Sequence, residues 1–123
     1  MASFDKELDA LQLHGLLQAQ DEKSLALLDV RSPAEAARGG ISGARNVPLH
    51  LLPVVDQELD NDASLVLYCH SGARSAQGCA FLMTRGYSKV YNLRGGILGW
   101  AQSGQSLVPI ESKAGSACVR LDG

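Results

Sequence analysis

The apolar run over residues 65–68 ends at Cys69 and leads into a loop of small residues, and this junction constrains the chain more than any other feature. Four consecutive apolar residues predict a buried strand. The apolar spacing that resumes after the loop predicts a helix over residues 75–85 that ends at Gly86. A strand end followed so closely by a helix start gathers unpaired backbone N–H groups and the positive end of the helix dipole. Both favour an anion at Cys69, either the thiolate itself or a bound oxyanion.

A cysteine at this position needs help to act as a nucleophile, because a free thiol has a pKa of about 8.5 and is only slightly ionised at neutral pH. Lowering that pKa by two units requires about 2.7 kcal/mol, whereas a helix dipole supplies about 0.3–1 kcal/mol. Small residues in the loop let further N–H groups approach the sulfur, and Arg74 adds positive charge. The alternative is a buried structural cysteine, but such a cysteine does not require this loop.

The composition indicates one globular domain without a metal site or a disulfide framework. The 123 residues are enough to bury roughly two-thirds of the unfolded surface without cross-links. A formal net charge of −2 gives no indication of the basic surface with which proteins bind nucleic acid. Three scattered cysteines and three histidines show neither disulfide nor metal-ligand spacing. With no signal peptide and no apolar run of membrane-spanning length, the expected protein is cytoplasmic and free of membranes.

Strands and helices are predicted to alternate along the chain. Two capping boxes, Asp9 with Gln12 and Ser32 with Glu35, mark the starts of the first two helices. Strands are predicted over residues 25–30, 44–47, 65–68 and 89–93, and helical segments over residues 10–19, 33–38, 49–59 in two pieces broken by Pro53, and 75–85. The pair Gly95 and Gly96 predicts a turn into a short segment over residues 97–101. This alternation predicts an α/β fold with a mainly parallel sheet covered on both faces. Ligands bind such sheets beyond the carboxyl ends of the strands, where Cys69 lies.

Five segments, taken in order, resemble a single-domain rhodanese, a thiosulfate sulfurtransferase-like module. They are residues 28–35 (LDVRSPAE), 43–48 (GARNVP), 68–76 (YCHSGARSA), 86–87 (GY) and 90–100 (VYNLRGGILGW). The resemblance implies a three-layer α/β/α rhodanese-like fold with a mainly parallel five-stranded sheet, over residues 1–102. Residues 103–123 have no counterpart and no clear period, so we expect an irregular or loosely packed C-terminal tail. Two departures are Ala36, where members often carry an aromatic residue, and Gly40, where they often carry histidine.

The same resemblance implies a sulfurtransferase in which Cys69 is the catalytic, sulfur-carrying residue. The residues implied to cradle the sulfur and bind substrate are His70, Ser71, Gly72, Ala73, Arg74 and Ser75. The Cys69 thiolate takes the outer sulfur of thiosulfate or of another sulfane donor, and the persulfide passes it to cyanide, a small thiol or a protein thiol. Arg74 holds the loop or orients the donor's oxyanion, and Asp29 and Arg31 brace the loop or each other. No cofactor or metal is implied.

Two other classes of function use a similar loop. Phosphatases and arsenate reductases of related folds also combine a loop cysteine with an arginine, and a catalytically silent domain would bind or regulate without any reaction. Four residues separate Cys69 from Arg74, one fewer than in those phosphatases, which leaves a ring too tight for a phosphate. The intact cysteine and arginine argue against a silent domain. The sequence leaves open the physiological sulfur donor and acceptor and the oligomeric state, for which a monomer is the simplest expectation.

Overall fold

The five strands found in the described part of the chain lie parallel in a single sheet. This computed structural model describes residues 6–19 and 25–111. The strands are β1 Glu7–Leu8, β2 Leu25–Asp29, β3 Arg45–Asn46, β4 Ser64–Tyr68 and β5 Val90–Leu93. Their order across the sheet is β1-β5-β4-β2-β3. Because β4 is the central strand, its carboxyl end places Cys69 in the middle of one edge of the sheet.

Helices cover both faces of the sheet. They are α1 Ala10–Ala19, α2 Pro33–Arg38, α3 Leu52–Val55, α4 Ala73–Thr84 and α5 Gly96–Gln102, with 3₁₀ turns at Leu49–Leu51 and Asp56–Glu58. On one face the core combines side chains of α3 and α4 with those of the sheet: Leu52, Cys79, Leu82, Leu65 and Leu67. On the other face α1 and α5 pack against the sheet through Leu13, Ile97, Trp100, Val66 and Tyr68. The predicted α/β/α layering is therefore confirmed.

The two helix starts predicted from capping boxes are present as predicted. The Asp9 carboxylate accepts a hydrogen bond from the N–H of Gln12 at 2.8 Å, and the N–H of Asp9 donates one to Gln12 Oε1 at 2.8 Å. Ser32 and Glu35 make the same reciprocal pair at the start of α2, with distances of 3.2 and 3.0 Å. These local signals succeed because donor and acceptor lie only three residues apart.

The ends of other elements differ from prediction. Helix α4 begins at Ala73, two residues early, because the left-handed conformation of Gly72 turns the loop directly into the helix. The segment over residues 49–59 forms three short pieces instead of two. Pro53 lies in the first turn of α3, where its missing N–H leaves no helical hydrogen bond unmade. Strand β1 was not predicted, since two residues carry no readable period. None of the described helices is long and apolar enough to cross a bilayer.

The chain beyond α5 packs against the segment around Gly40. Gly40 and Val108 form an antiparallel bridge with N···O distances of 2.6 and 2.9 Å, and Ile110 is only 6% exposed. A Cβ atom at Gly40 would lie 2.6 Å from Ile110 Cγ1 and 2.7 Å from the Tyr68 hydroxyl. The prediction of a loosely packed tail is therefore corrected for residues 108–110, because a sequence pattern does not show the space that Gly40 provides. Residues 112–123 of that tail lie outside the described residues.

Candidate active site

The sulfur of Cys69 lies inside a ring of hydrogen-bond donors. Cys69 is 1% exposed, directly after the central strand. Its Sγ accepts hydrogen bonds from the N–H of Gly72 at 3.1 Å and from both the N–H and the hydroxyl of Ser75 at 3.4 Å. Gly72 has φ +110°, a conformation that favours glycine and that turns its N–H toward the sulfur. The sequence predicted this cradle, and the structure places these donors at the N-terminus of α4.

These hydrogen bonds keep the pKa of the Cys69 thiol below its usual value. Burial acts in the opposite direction and raises the pKa, because it disfavours the charged thiolate. The hydroxyl and N–H of Ser75 and the N–H groups of Gly72 and Ser71 stabilise the thiolate and outweigh burial. Cys79, which lies inside α4, provides the contrast, because burial raises the pKa of its thiol to about 12. Of these two buried thiols, Cys69 is therefore the one prepared to react.

A second turn holds the loop from its outer side. The carbonyl oxygens of Cys69 and His70 accept hydrogen bonds from the N–H groups of Ile97 and Leu98, at 2.9 and 3.2 Å. Both donors belong to the first turn of α5, whose start at Gly96 lies against the two carbonyls. With the loop carbonyls held outward, the loop N–H groups are free to face the sulfur. Sequence reasoning predicted a turn at Gly95 and Gly96 but not this contact, which joins segments that are distant along the chain.

Ser75 is itself fixed by Asn92, a site residue that sequence reasoning missed. The single proton of the Ser75 hydroxyl is shared between acceptors that include Cys69 Sγ at 3.4 Å and Asn92 Oδ1 at 2.5 Å, and Asn92 Nδ2 donates to the carbonyl of Gly72 at 3.2 Å. Both side chains are almost fully buried, with exposures of 0% for Ser75 and 2% for Asn92. Buried polar groups are normally hydrogen-bonded, and here they bond to each other beneath the sulfur. The available signal was an asparagine in the middle of an apolar strand.

Replacing Ser75 with alanine is expected to change the pH dependence of any reaction of the Cys69 thiolate. The low-pH side of the rate profile for that reaction should move to higher pH. The Ser75 hydroxyl stabilises the thiolate, so its loss raises the pKa of Cys69 and leaves less thiolate at any pH below that value. At pH well above the pKa the two proteins should converge. Titration of thiolate absorbance measures the shift directly. Ser71→Ala is the matched control, because only the backbone N–H of Ser71 acts on the sulfur; equal pKa values in all three proteins would contradict the assignment.

Arg74 is paired with Glu35. The guanidinium donates to both carboxylate oxygens at 2.8 Å, and the two side chains are roughly one-third exposed. Hydrogen bonding from Arg74 lowers the pKa of Glu35 to about 2, so the carboxylate is ionised at physiological pH. The same pair raises the pKa of Arg74. Arg74 therefore ties the loop after Cys69 to the first turn of α2, where sequence reasoning had recognised Glu35 only as part of a capping box.

Asp29 and Arg31 brace each other, one of the two arrangements expected for them. Arg31 donates to the two carboxylate oxygens of Asp29 at 2.9 and 2.6 Å, and also to the carbonyl of Gly39 at 2.8 Å. Asp29 is 0% and Arg31 4% exposed. Asn46 stabilises the same end of β2, since its Nδ2 donates to the backbone carbonyls of Asp29 and Arg31, each at 2.9 Å. The pair thus stabilises the end of β2 beside the loop.

An open cleft lies next to the loop. His70, Ser71 and Ala73 are exposed at the rim, and His70 forms one wall of a cleft of about 330 Å³. The other lining residues are Arg31, Glu35, Arg38, Gly39, Ile97, Leu98, Ala101 and Leu107. Among the residues that the structure describes, no group of three or more His, Cys, Asp or Glu could hold a metal ion. The arrangement is that of a buried thiol with a lowered pKa beside a partly apolar cleft.

Comparison with known proteins relates this geometry to one family. The sequence profile of the rhodanese-like domain family matches residues 12–103. A protein of Allochromatium vinosum named sulfurtransferase is 48% identical over 91 residues, which cover 74% of this chain and 85% of the relative. The thiosulfate sulfurtransferase GlpE of Stutzerimonas stutzeri is 34% identical over 95 residues, covering 77% and 84%. The crystal structure of a rhodanese-related protein of Thermoplasma volcanium superimposes with a TM-score of 0.75 at 29% identity, covering 84% of this chain and 97% of that one.

Proposed function

This chain belongs to the rhodanese-like domain family, and from that premise we propose that it transfers a sulfane sulfur through a persulfide formed on Cys69. The observation that carries the proposal is the ring of donors from Gly72 and Ser75 around a thiol whose pKa is lowered. Relatives named sulfurtransferase support the same reaction class. The substrates are a small sulfur donor and a thiophilic acceptor, either cyanide or a thiol.

The reaction has two balanced steps. The Cys69 thiolate attacks the outer sulfur of thiosulfate, a bond forms between the two sulfurs, and sulfite leaves with the electron pair of the broken S–S bond. The persulfide sulfur is then attacked by cyanide or by a thiolate, and Cys69 leaves as the thiolate. Thiocyanate or the acceptor's persulfide is the product. No oxidant or reductant is consumed in either step.

The donor ring acts on both steps. In the resting protein the N–H groups of Gly72 and Ser75 stabilise the charge of the thiolate. In the loaded protein the negative charge lies on the added outer sulfur, and the same preorganised loop N–H groups face it. The loop therefore stabilises the anionic sulfur that enters and leaves, without rearrangement of the fold.

Phosphate chemistry fits this site less well. The four residues between Cys69 and Arg74 close a ring suited to one sulfur atom. The guanidinium of Arg74, which would have to hold phosphate oxygens, is already engaged by both carboxylate oxygens of Glu35.

A cytoplasmic location also fits this function, because the buried thiols of Cys69 and Cys79 are both free and the reaction needs a reduced thiol.

The test is the mass of the intact protein after incubation with thiosulfate. The expected result is the addition of one sulfur atom that cyanide removes as thiocyanate, with negligible hydrolysis of an aryl phosphate by the same sample. Cys69→Ser should show no adduct, whereas Cys79→Ala should load normally, because the Cys79 thiol stays protonated. An adduct that survives in Cys69→Ser, or aryl phosphate hydrolysis faster than sulfur transfer, would overturn the proposal.

A further inference from the structure

We propose that Glu35 determines the charge class of the sulfur donor. By neutralising Arg74, it makes the site select sulfane donors of low charge that carry an apolar group over dianions such as thiosulfate. This inference rests on the sulfur transfer proposed above, and it concerns which donor that reaction uses. Glu35 acts through Arg74, so it is a specificity-determining positioning residue.

The geometry of the pair leaves little of the Arg74 charge available. Both carboxylate oxygens of Glu35 lie 2.8 Å from guanidinium nitrogens of Arg74. The carboxylate is also held from the other side, because its Oε1 accepts a hydrogen bond from the N–H of Ser32 at 3.0 Å. The position of Glu35 is thus fixed by the capping box of α2 independently of its pairing with Arg74. A two-point pair of this kind fixes the orientation of the guanidinium as well as its charge.

The charges around the cleft are nearly balanced as a result. Arg31 and Arg74 are each paired with a carboxylate, that of Asp29 and that of Glu35. Of these four residues only Arg31 and Glu35 line the cleft, together with Arg38, which is exposed at the end of α2. With the ion-pair partners Asp29 and Arg74 counted beside the lining residues, three arginines against two carboxylates leave one net positive charge for an incoming donor. Two unit charges about 4 Å apart in water interact by about 1 kcal/mol, so a second positive charge would favour a dianion measurably.

The cleft walls favour an organic donor. Ile97, Leu98, Ala101 and Leu107 form an apolar lining next to His70 and the loop. Leu98 and Leu107 are both 43% exposed, so their surface is available to a ligand. Thiosulfate, a small and strongly hydrated ion, gains nothing from such walls, whereas a hydrocarbon group loses contact with water there. An aryl thiosulfonate or an organic persulfide combines this group with a transferable sulfur and a single negative charge or none.

The transfer from such a donor balances as it does for thiosulfate. The Cys69 thiolate attacks the outer sulfur of a thiosulfonate R–SO₂–S⁻, and the bond between the two sulfurs of the donor breaks. The sulfinate R–SO₂⁻ leaves with the electron pair, and Cys69 carries the persulfide anion. Charge is conserved, and the leaving group differs from sulfite only in the R group and one unit of charge.

The experiment compares kcat/KM for thiosulfate and for benzenethiosulfonate in the full chain. The wild-type protein should prefer benzenethiosulfonate. Glu35→Gln removes the charge, while a glutamine retains the capping-box bond to Ser32, so α2 should remain intact. In this variant the preference should shift toward thiosulfate by about threefold to fivefold, through KM and not kcat, and the shift should shrink at high ionic strength.

Three further proteins make the result specific. Arg74→Gln leaves Glu35 uncompensated and should shift the donor preference in the opposite direction, which a merely structural role would not do. The double variant Glu35→Gln/Arg74→Gln should return to near the wild-type ratio. Glu58→Gln removes an equal charge from an exposed pair with Arg45 that does not line the cleft, and should change nothing. An unchanged donor ratio in Glu35→Gln, or shifts of the same sign in both single variants, would overturn the inference. Failure of every donor to load the wild-type protein would instead overturn the proposed sulfur transfer.

Discussion

Gly96→Ala is expected to slow the sulfur loading of Cys69 by about a hundredfold. A Cβ atom at Gly96 would lie 2.5 Å from the carbonyl oxygen of His70 and 2.6 Å from that of Cys69, so the loop backbone would have to move. Gly96 also has φ +58°, a left-handed conformation that by itself costs a non-glycine residue about 1–2 kcal/mol. A displacement of the reacting group by about 1 Å can reduce a rate by about a hundredfold. Intact-mass measurement of the thiosulfate adduct over time follows the effect.

Gly99→Ala is the matched control for this prediction. Gly99 lies in the same helix, and the nearest atom to an added Cβ is the carbonyl oxygen of Arg94 at 3.6 Å, an ordinary contact. The variant should load at close to the wild-type rate. If Gly96→Ala loaded as fast as Gly99→Ala, the first turn of α5 would not be what holds the loop.

Asp29→Ala is expected to destabilise the fold by about 3–5 kcal/mol. Asp29 accepts three hydrogen bonds from Arg31, one from its backbone N–H and two from its guanidinium. Its removal leaves a guanidinium buried without its carboxylate, in a residue that is only 4% exposed. Since domains are stable by only about 5–15 kcal/mol, much of the protein should unfold in mild denaturant. Urea unfolding followed by circular dichroism gives the change in free energy.

Two other variants show whether burial is the cause. Glu58→Ala breaks an ion pair of similar length, 2.9 Å, but one whose side chains are 34% and 59% exposed, and it should change the free energy of unfolding by less than about 1 kcal/mol. Asp29→Leu/Arg31→Met replaces the buried pair with apolar side chains and should recover part of the loss. Equal effects of Asp29→Ala and Glu58→Ala would refute the argument.

The parts of this fold that the sequence predicted are those encoded locally. Both capping boxes depend on residues three positions apart, and the strands that flank Cys69 are short runs of apolar residues bounded by polar ones. The position of Cys69 at a strand end follows directly from these neighbours. The small residues of the loop likewise predict that backbone N–H groups approach the Cys69 sulfur closely, and the N–H groups of Gly72 and Ser75 do contact it.

What the sequence did not predict depends on contacts between distant segments. Asn92 lies 17 residues from the Ser75 hydroxyl that it fixes, and Glu35 lies 39 residues from Arg74. No periodicity relates such pairs, because only the sheet order β1-β5-β4-β2-β3 brings them together. The packing of Ile110 was not predicted for a similar reason, because it depends on the absence of a side chain at Gly40, which is distant in the sequence.

The crowding around Gly40 restricts the order in which this sequence can change. Any side chain at position 40 would meet both Ile110 and the Tyr68 hydroxyl, and that hydroxyl is held by the N–H of Ile41 at 3.0 Å. A single substitution at position 40 therefore meets two obstacles that lie in separate segments. A larger residue at position 40 therefore becomes compatible with the fold only after the side chains at positions 68 and 110 have changed. The order of these substitutions is thus set by the steric contacts around Gly40.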